Sequence, residues 1–450
     1  MKSRSKFSCK RLADYKSERP IMSKQINRGL ALLALFCLLA GSLLPPSHAQ
    51  IAATRTAQDA AIVSTTAALL KETSELRELS ILKAVKSGAQ SRAEIERMII
   101  RNLDADTTPA EMHAAETLLR AFGLAPKDFE YRPFLIKLLS EQVAGYYDPK
   151  AQEFYLADWV ELEGQKPVMA HELTHALQDQ HFNLKRFEKW PKGDSDAELA
   201  AHALIEGDAT LAMTQYLERN PMVALAFLRS LASQEVALEQ FRQAPRALRE
   251  SLVFPYEEGS AWATQLYKRG GWEMVSQAFT KLPQSSEQIL HADKYFAYEP
   301  PQKLALPELK SILGPSWKRI DYDVNGEWGL YLVLNEFLDN TIESRRATAG
   351  WGGDRFAIYE TATPGETFIA QLTAWDTPLD AKEFFEAYAK RTAKRYPEAN
   401  ATAETAEHME WQTANGAVAM ELRGSQVAIL EGLPQQANAN QLFRLIWKQR

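Results

Sequence analysis

Apolar residues recur at helical spacing through most of the first three hundred positions of this 450-residue chain, and alternation replaces that spacing toward the C-terminal end. Residues 57–87 keep a helical period. Ser91 with Glu94, and Thr108 with Glu111, are capping boxes that open two more helices; Pro109 enters the first turn of the second and Gly123 ends it. Residues 131–142 are amphipathic at the same spacing. The pattern then changes: in residues 145–156, Asp148-Pro149 opens a turn, and Phe154 and Leu156 alternate with more polar neighbours, which predicts a hairpin. Pro167 suits the first turn of a helix whose Met169, Leu173 and Leu177 share an apolar side. Ser195-Asp196-Ala197-Glu198 is a further capping box and predicts a helix from Ser195 to about Leu217. Helical spacing dominates residues 220–282, broken at 254–260, with Gly270-Gly271 as a turn.

Beyond about residue 315 the character shifts. Residues 355–360, 367–375, 408–413, 417–422 and 426–430 read as strands, and 379–396 and 437–448 as helices. The glycine-rich Gly350-Trp351-Gly352-Gly353-Asp354-Arg355 reads as a connecting loop. The expected fold class is α+β: a mainly helical core with an edge hairpin, followed by a C-terminal module built on an antiparallel sheet. The expected divisions are 1–49, a helical region at 50–140, a core at 141–314 and the module at 315–450.

The first 49 residues stand apart. A short apolar run at 29–44 follows Lys24 and Arg28 and leads into Pro45-Pro46-Ser47-His48-Ala49, the pattern of a secretory signal cut after Ala49, with Met22 an alternative start. Export to the periplasm or the medium is the expectation, with no stable membrane span once the signal is removed. Both cysteines, Cys9 and Cys37, lie in that segment, so the remainder has no disulfide to rely on. Nine Lys/Arg and two Asp/Glu also lie there, which moves the net charge from −6 to −13. A chain this acidic, with no basic stripe, argues against nucleic acid as a partner.

The chemistry concentrates in His171-Glu172-Leu173-Thr174-His175. Positions i and i+4 share a helix face, so both imidazoles can reach one metal ion, and Zn²⁺ suits them. The glutamate between them is placed to take a proton from an attacking water. Zinc needs a third protein ligand, and Glu198, His202 and Glu206 form a stripe at i, i+4 and i+8 on the following helix. Asp179, four residues past His175, can orient an imidazole or simply end its helix; Asp208 points elsewhere and should bond a neighbouring element.

These two motifs, and the wider strings HELTHALQDQHF and ALIEGDAT, resemble the gluzincin branch of the zincin metallopeptidases and, within it, secreted bacterial metallopeptidase-like proteins. The resemblance covers about residues 145–295. It implies a zincin-like core with His171, His175 and Glu206 as zinc ligands, Glu172 as general base, and a peptide or protein substrate lying along the hairpin's edge strand. The oxyanion donor would come from outside the metal motif, with His291, Tyr256 and Tyr295 as candidates in that order. The 31 positions from His175 to Glu206 exceed the gap in thermolysin-like members, the excess holding Trp190-Pro191-Lys192-Gly193-Asp194, and His202 stays the alternative ligand. Two other functions fit the same residues: a non-catalytic zinc-binding scaffold of the envelope, and a metallohydrolase acting on cell-wall amides.

Overall fold

The computed structural model describes residues 48–187, 190–232, 238–363 and 365–448. The expected signal therefore lies outside the described residues up to position 47. Helix α1 (His48–Arg77) ends where Glu78 takes a positive φ of 59°. The helical period carried on toward residue 87, but the chain leaves it for strand β1 (Lys86–Gln90). Pairing decides the outcome: β1 runs parallel to β3, and the Ala89 amide donates to Asp59. Helices α2 (Arg92–Asp106) and α3 (Pro109–Phe122) start on their two capping boxes, and α3 stops on Gly123 at φ 76°. Helix α4 (Tyr131–Gln142) leads into the expected hairpin, β2 (Gly145–Asp148) and β3 (Glu153–Ala157), with Tyr147 opposite Phe154. The sheet order is β1-β3-β2, so β2 is an edge.

Helix α5 (Leu162–Phe182) carries the HExxH motif and starts earlier than expected. Pro167 lies inside it, not in its first turn; the added turn is held by Leu162, which packs on the core, at the loss of one intrahelical hydrogen bond. Helix α6 (Ser195–Arg219) is capped by Asp194, which accepts the Ala197 amide, one residue before the expected cap. Ser195 instead gives its amide and hydroxyl to Asp323. Helices α7 (Pro221–Ala232) and α8 (Leu238–Gln243) precede α9 (Arg246–Ala278). The expected break at 254–260 is absent: α9 runs through Pro255 and kinks only at Gly270 and Gly271. This continuity fixes the direction of Tyr256. Short helices α10 (Ser286–Leu290), α11 (Ala292–Ala297) and α12 (Lys310–Leu313) complete the helical part.

The C-terminal part consists of β4 (Lys318–Asp323), α13 (Gly326–Leu338), α14 (Thr341–Thr348), β5 (Trp351–Glu360), β6 (Thr367–Trp375), α15 (Pro378–Arg395), β7 (Ala401–Glu404), β8 (His408–Thr413), β9 (Gly416–Arg423), β10 (Gln426–Leu433) and α16 (Ala439–Ile446). All neighbours in its seven-stranded sheet, order β4-β5-β6-β10-β9-β8-β7, are antiparallel. The fold is thus α+β. The glycine-rich stretch at 350–355 is mostly the start of β5, bulged between Trp351 and Gly353, because Trp351 is drawn into the core. Alternation along β5 divides the sheet's faces: Phe356 and Ile358 join the apolar core that holds Leu173 and Phe254, whereas Ala357 and Tyr359 pack with Leu442, Phe443 and Ile446 of α16. Among the described residues no helix is long and apolar enough to cross a membrane.

One crossing sets the geometry of the site. A Cβ added at Gly207 of α6 would lie 2.3 Å from the Gly259 backbone of α9, and one at Gly259 would lie 2.3 Å from the Ala203 carbonyl oxygen. The two helices therefore touch backbone to backbone, a separation only glycine permits.

Candidate metal centre

Helices α5, α6 and α9 converge beside edge strand β2. The helical repeat stacks His171 and His175 on one buried face of α5, ring centroids 4.7 Å apart and planes at 88°. Their Nε2 atoms are 3.1 Å apart. Glu206 Oε2 closes a triangle, 3.1 Å from His171 Nε2 and 3.5 Å from His175 Nε2. A zinc ion bound tetrahedrally at about 2.0–2.1 Å from two imidazoles and a carboxylate requires donors about 3.3 Å apart, so the three atoms fit one cation. His171, Glu172 and His175 also offer atoms within 4.8 Å of one another. Of the two carboxylates, Glu206 suits the third corner: it touches both rings, whereas Glu172 Oε2 accepts the Tyr147 amide of β2 at 2.9 Å.

Charge is expensive in this site and is kept only where it is matched. Burial acts to raise the Glu206 carboxyl, but His175 and His171 outweigh it and hold the group below its usual range. Burial acts to lower His175, and Glu206, Glu172 and Gln178 outweigh it, bringing the imidazole to about 9. For Glu172 burial prevails over both histidines, so its carboxyl is raised. A proton between imidazole and carboxylate thus stands where a cation's charge would, and binding of a cation would release it.

Beneath the triangle lies a second, fully buried polar chain. His175 Nδ1 meets Gln178 Oε1 at 2.9 Å. The amide cannot be reversed, because Gln178 Nε2 donates to the Ile205 carbonyl at 3.0 Å and to Asp208 Oδ2 at 2.9 Å. His175 therefore carries a hydrogen on Nδ1, and Nε2, once its own proton is lost, is the nitrogen free to face a cation at the centre. Asp208 is held by Arg77 at 2.5 and 3.1 Å, both side chains fully buried, and Arg77 reaches Ser276 at 3.2 Å and stacks 4.5 Å over Trp272. Removing one partner of such a pair strands a buried charge. We expect Arg77→Met to lower unfolding free energy by about 3–5 kcal/mol in urea titrations, and a further Asp208→Asn change to recover part of it. An unchanged urea midpoint would mean that the pair does not hold α1 to α6.

The expected residues divide clearly. Tyr256 joins the cluster, its ring 6.0 Å from that of His171 in a stacked arrangement and its hydroxyl turned toward Glu206. Burial, then Glu206 and Glu172, push that hydroxyl well above its ordinary range, so it remains a donor. His291 lies at the α10–α11 junction with Nε2 on Glu327 at 2.9 Å, away from the triangle's contacts, and Tyr295 donates to the Lys281 carbonyl while packing on Trp262. His202 is exposed near Glu198, so the i, i+4, i+8 stripe sends only Glu206 to the imidazoles. Asp179 touches no imidazole; it accepts from Tyr147 and Gln152 and from the Leu184 amide, tying the hairpin to the end of α5. Asp208 bonds neighbouring elements, as expected. Sequence reasoning missed Gln178 and Arg77. Gln178 sits at i+3 from His175, a spacing that signals contact; nothing local marks Arg77, whose partner is 131 positions away.

A family model described as a domain of unknown function (DUF8575) matches residues 314–442, from just before β4 into α16, and leaves the histidine cluster outside it. No curated protein and no solved structure matches the chain.

Proposed function

We propose that this chain is an exported, zinc-dependent peptidase of the gluzincin kind. The observation that carries the proposal is the meeting of His171 Nε2, His175 Nε2 and Glu206 Oε2 within 3.5 Å, with a second carboxylate, Glu172, beside them that stays out of the triangle. His171, His175 and Glu206 would hold the ion, and zinc bound there supplies Lewis acidity for a peptide carbonyl and acidifies water. The other steps belong to the chain's own groups. Glu172, anchored by the Tyr147 amide, takes a proton from the attacking water on its carboxylate; its burial favours keeping that proton until the departing amine receives it. Tyr256 presents its hydroxyl to the oxygen on which negative charge develops. Edge strand β2, whose Tyr147 amide meets Glu172, would offer its remaining outward backbone groups to an extended peptide.

The test is metal analysis of residues 50–450 together with turnover of an unfolded protein. One zinc per chain with proteolysis supports the proposal. Zinc without turnover of protein or of cell-wall amides would favour an envelope scaffold. Tyr256→Phe should cut kcat by about 10²–10³, with zinc content and KM little changed; loss of zinc instead would make Tyr256 a support for Glu206. Export predicts that protein recovered from the envelope or medium begins at Gln50, and N-terminal sequencing that finds Met1 or Met22 would remove this part of the proposal.

A further inference from the structure

The loop between α5 and α6, which lengthens the gap from His175 to Glu206, has no part in the metal centre, and it builds something else. Trp190, Pro191, Lys192 and Gly193 form one wall of a cavity of about 870 Å³. Arg355 fastens this wall, donating to the Gly193 carbonyl at 2.5 Å. The other walls come from α3, α6, β4 and α13, and are largely apolar, with Leu118, Leu199, Ile320 and Trp328 among them.

Of the charged groups that line the cavity, only Lys192 is basic. Glu111 is neutralised by Lys192, and Asp106 pairs with Lys150 at 3.2 Å. Glu198, Asp321 and Asp323 also line it, and among the described residues none of the three has a Lys or Arg within ion-pair distance. Burial raises the carboxyl of Glu198 against a lowering influence of His202, and burial raises Asp321 to about 6. Asp196, two residues past the cap Asp194, is 2% exposed; its Oδ2 accepts the Ser286 amide, while Oδ1 lies against Gly326 without a hydrogen-bond partner. The carboxylates that face the cavity have no cation of their own, and a guanidinium or ammonium group answers them.

The cavity and the metal centre share α6. Glu198 precedes Glu206 by eight residues, about 12 Å along the helix, with exposed His202 between them on the same side. An extended peptide covers that distance in about four residues at about 3.3 Å each. We propose that this cavity is a second binding site, taking a Lys or Arg flanked by apolar residues from the peptide whose backbone is bound at the metal centre, about four residues from the bond to be cut. The assignment of a cleaved bond rests on the peptidase reading; the binding of a basic, apolar peptide does not.

The two are separated by measuring binding on a chain that does not cut. Two decapeptides, identical except for a central Leu-Arg-Leu or Leu-Gln-Leu, are titrated calorimetrically into the Glu172→Gln protein. The arginine peptide should bind at least about tenfold tighter. That preference should vanish when Glu198→Gln and Asp321→Asn are added, and Glu198→Lys should transfer it to a Leu-Glu-Leu peptide, which a folding defect cannot do. Equal affinity of the first two peptides, or a preference that survives the cavity substitutions, overturns the proposal. In the wild type, cuts should cluster about four residues from the arginine. Binding contrast without any cutting would leave the cavity in place and reject the peptidase reading; cutting at equal kcat/KM for both peptides would do the reverse.

Discussion

Glu172→Gln should reduce peptide hydrolysis by about 10²–10⁴, the usual worth of a positioned general base, while zinc content stays near one per chain. The substitution keeps side-chain size, and the amide oxygen can still accept from Tyr147, so the helix–strand contact at 2.9 Å survives. What disappears is the carboxylate that accepts and returns the proton. Because this carboxylate lies outside the donor triangle, its loss should separate chemistry from metal binding. Wild-type turnover by a zinc-loaded Glu172→Gln chain would remove Glu172 from the mechanism. Loss of zinc together with activity would instead place Glu172 among the ligands.

The ligand substitutions should act in the opposite way. His175→Ala leaves two donors, too few to retain zinc against solvent, so metal and activity should fall together by more than about tenfold in zinc affinity. Glu206→Gln should weaken zinc binding far more than His202→Ala, because Glu206 Oε2 is 3.1 Å from His171 Nε2 whereas His202 is exposed. Metal titration with a competing chelator measures all three. Reversal of the Glu206 and His202 order would make His202 the third ligand and dismantle the triangle described above.

How much of this could be read from the chain depended on the range of the forces involved. Capping boxes at Ser91 and Thr108, the left-handed Gly123 and the hairpin around Asp148-Pro149 are local devices, and they appear where their residues imply. Strands 367–375 and 408–413 have the bounds their alternation suggests. His171, Glu172 and His175 are brought together by a single helical turn, which periodicity alone can foresee. The misses involve distant partners. Strand β1 exists because β3 is beside it, α9 passes through Pro255 because it is clamped against α6 at Gly207, and Tyr256 reaches Glu206 by that clamp. His291 had no comparable constraint, and Glu327 claims it instead. Gln178 was within reach of a closer reading, since i+3 neighbours touch.

The parallel pairing of β1 with β3, and the reach of Arg77 to Asp208 and Ser276, span 67, 131 and 199 positions. Contacts so far apart in the chain form late in folding, since large loops must close before they are rewarded. The imidazoles are ready once α5 forms, but Glu206, Gln178's partner Asp208 and Tyr256 arrive only after α1, α6 and α9 have docked. If zinc binds there as proposed, its uptake would mark finished folding. On the peptidase reading, a half-folded copy of the chain carries every reactive residue but no assembled centre, and it cannot digest its equally unfolded neighbours while they fold alongside it.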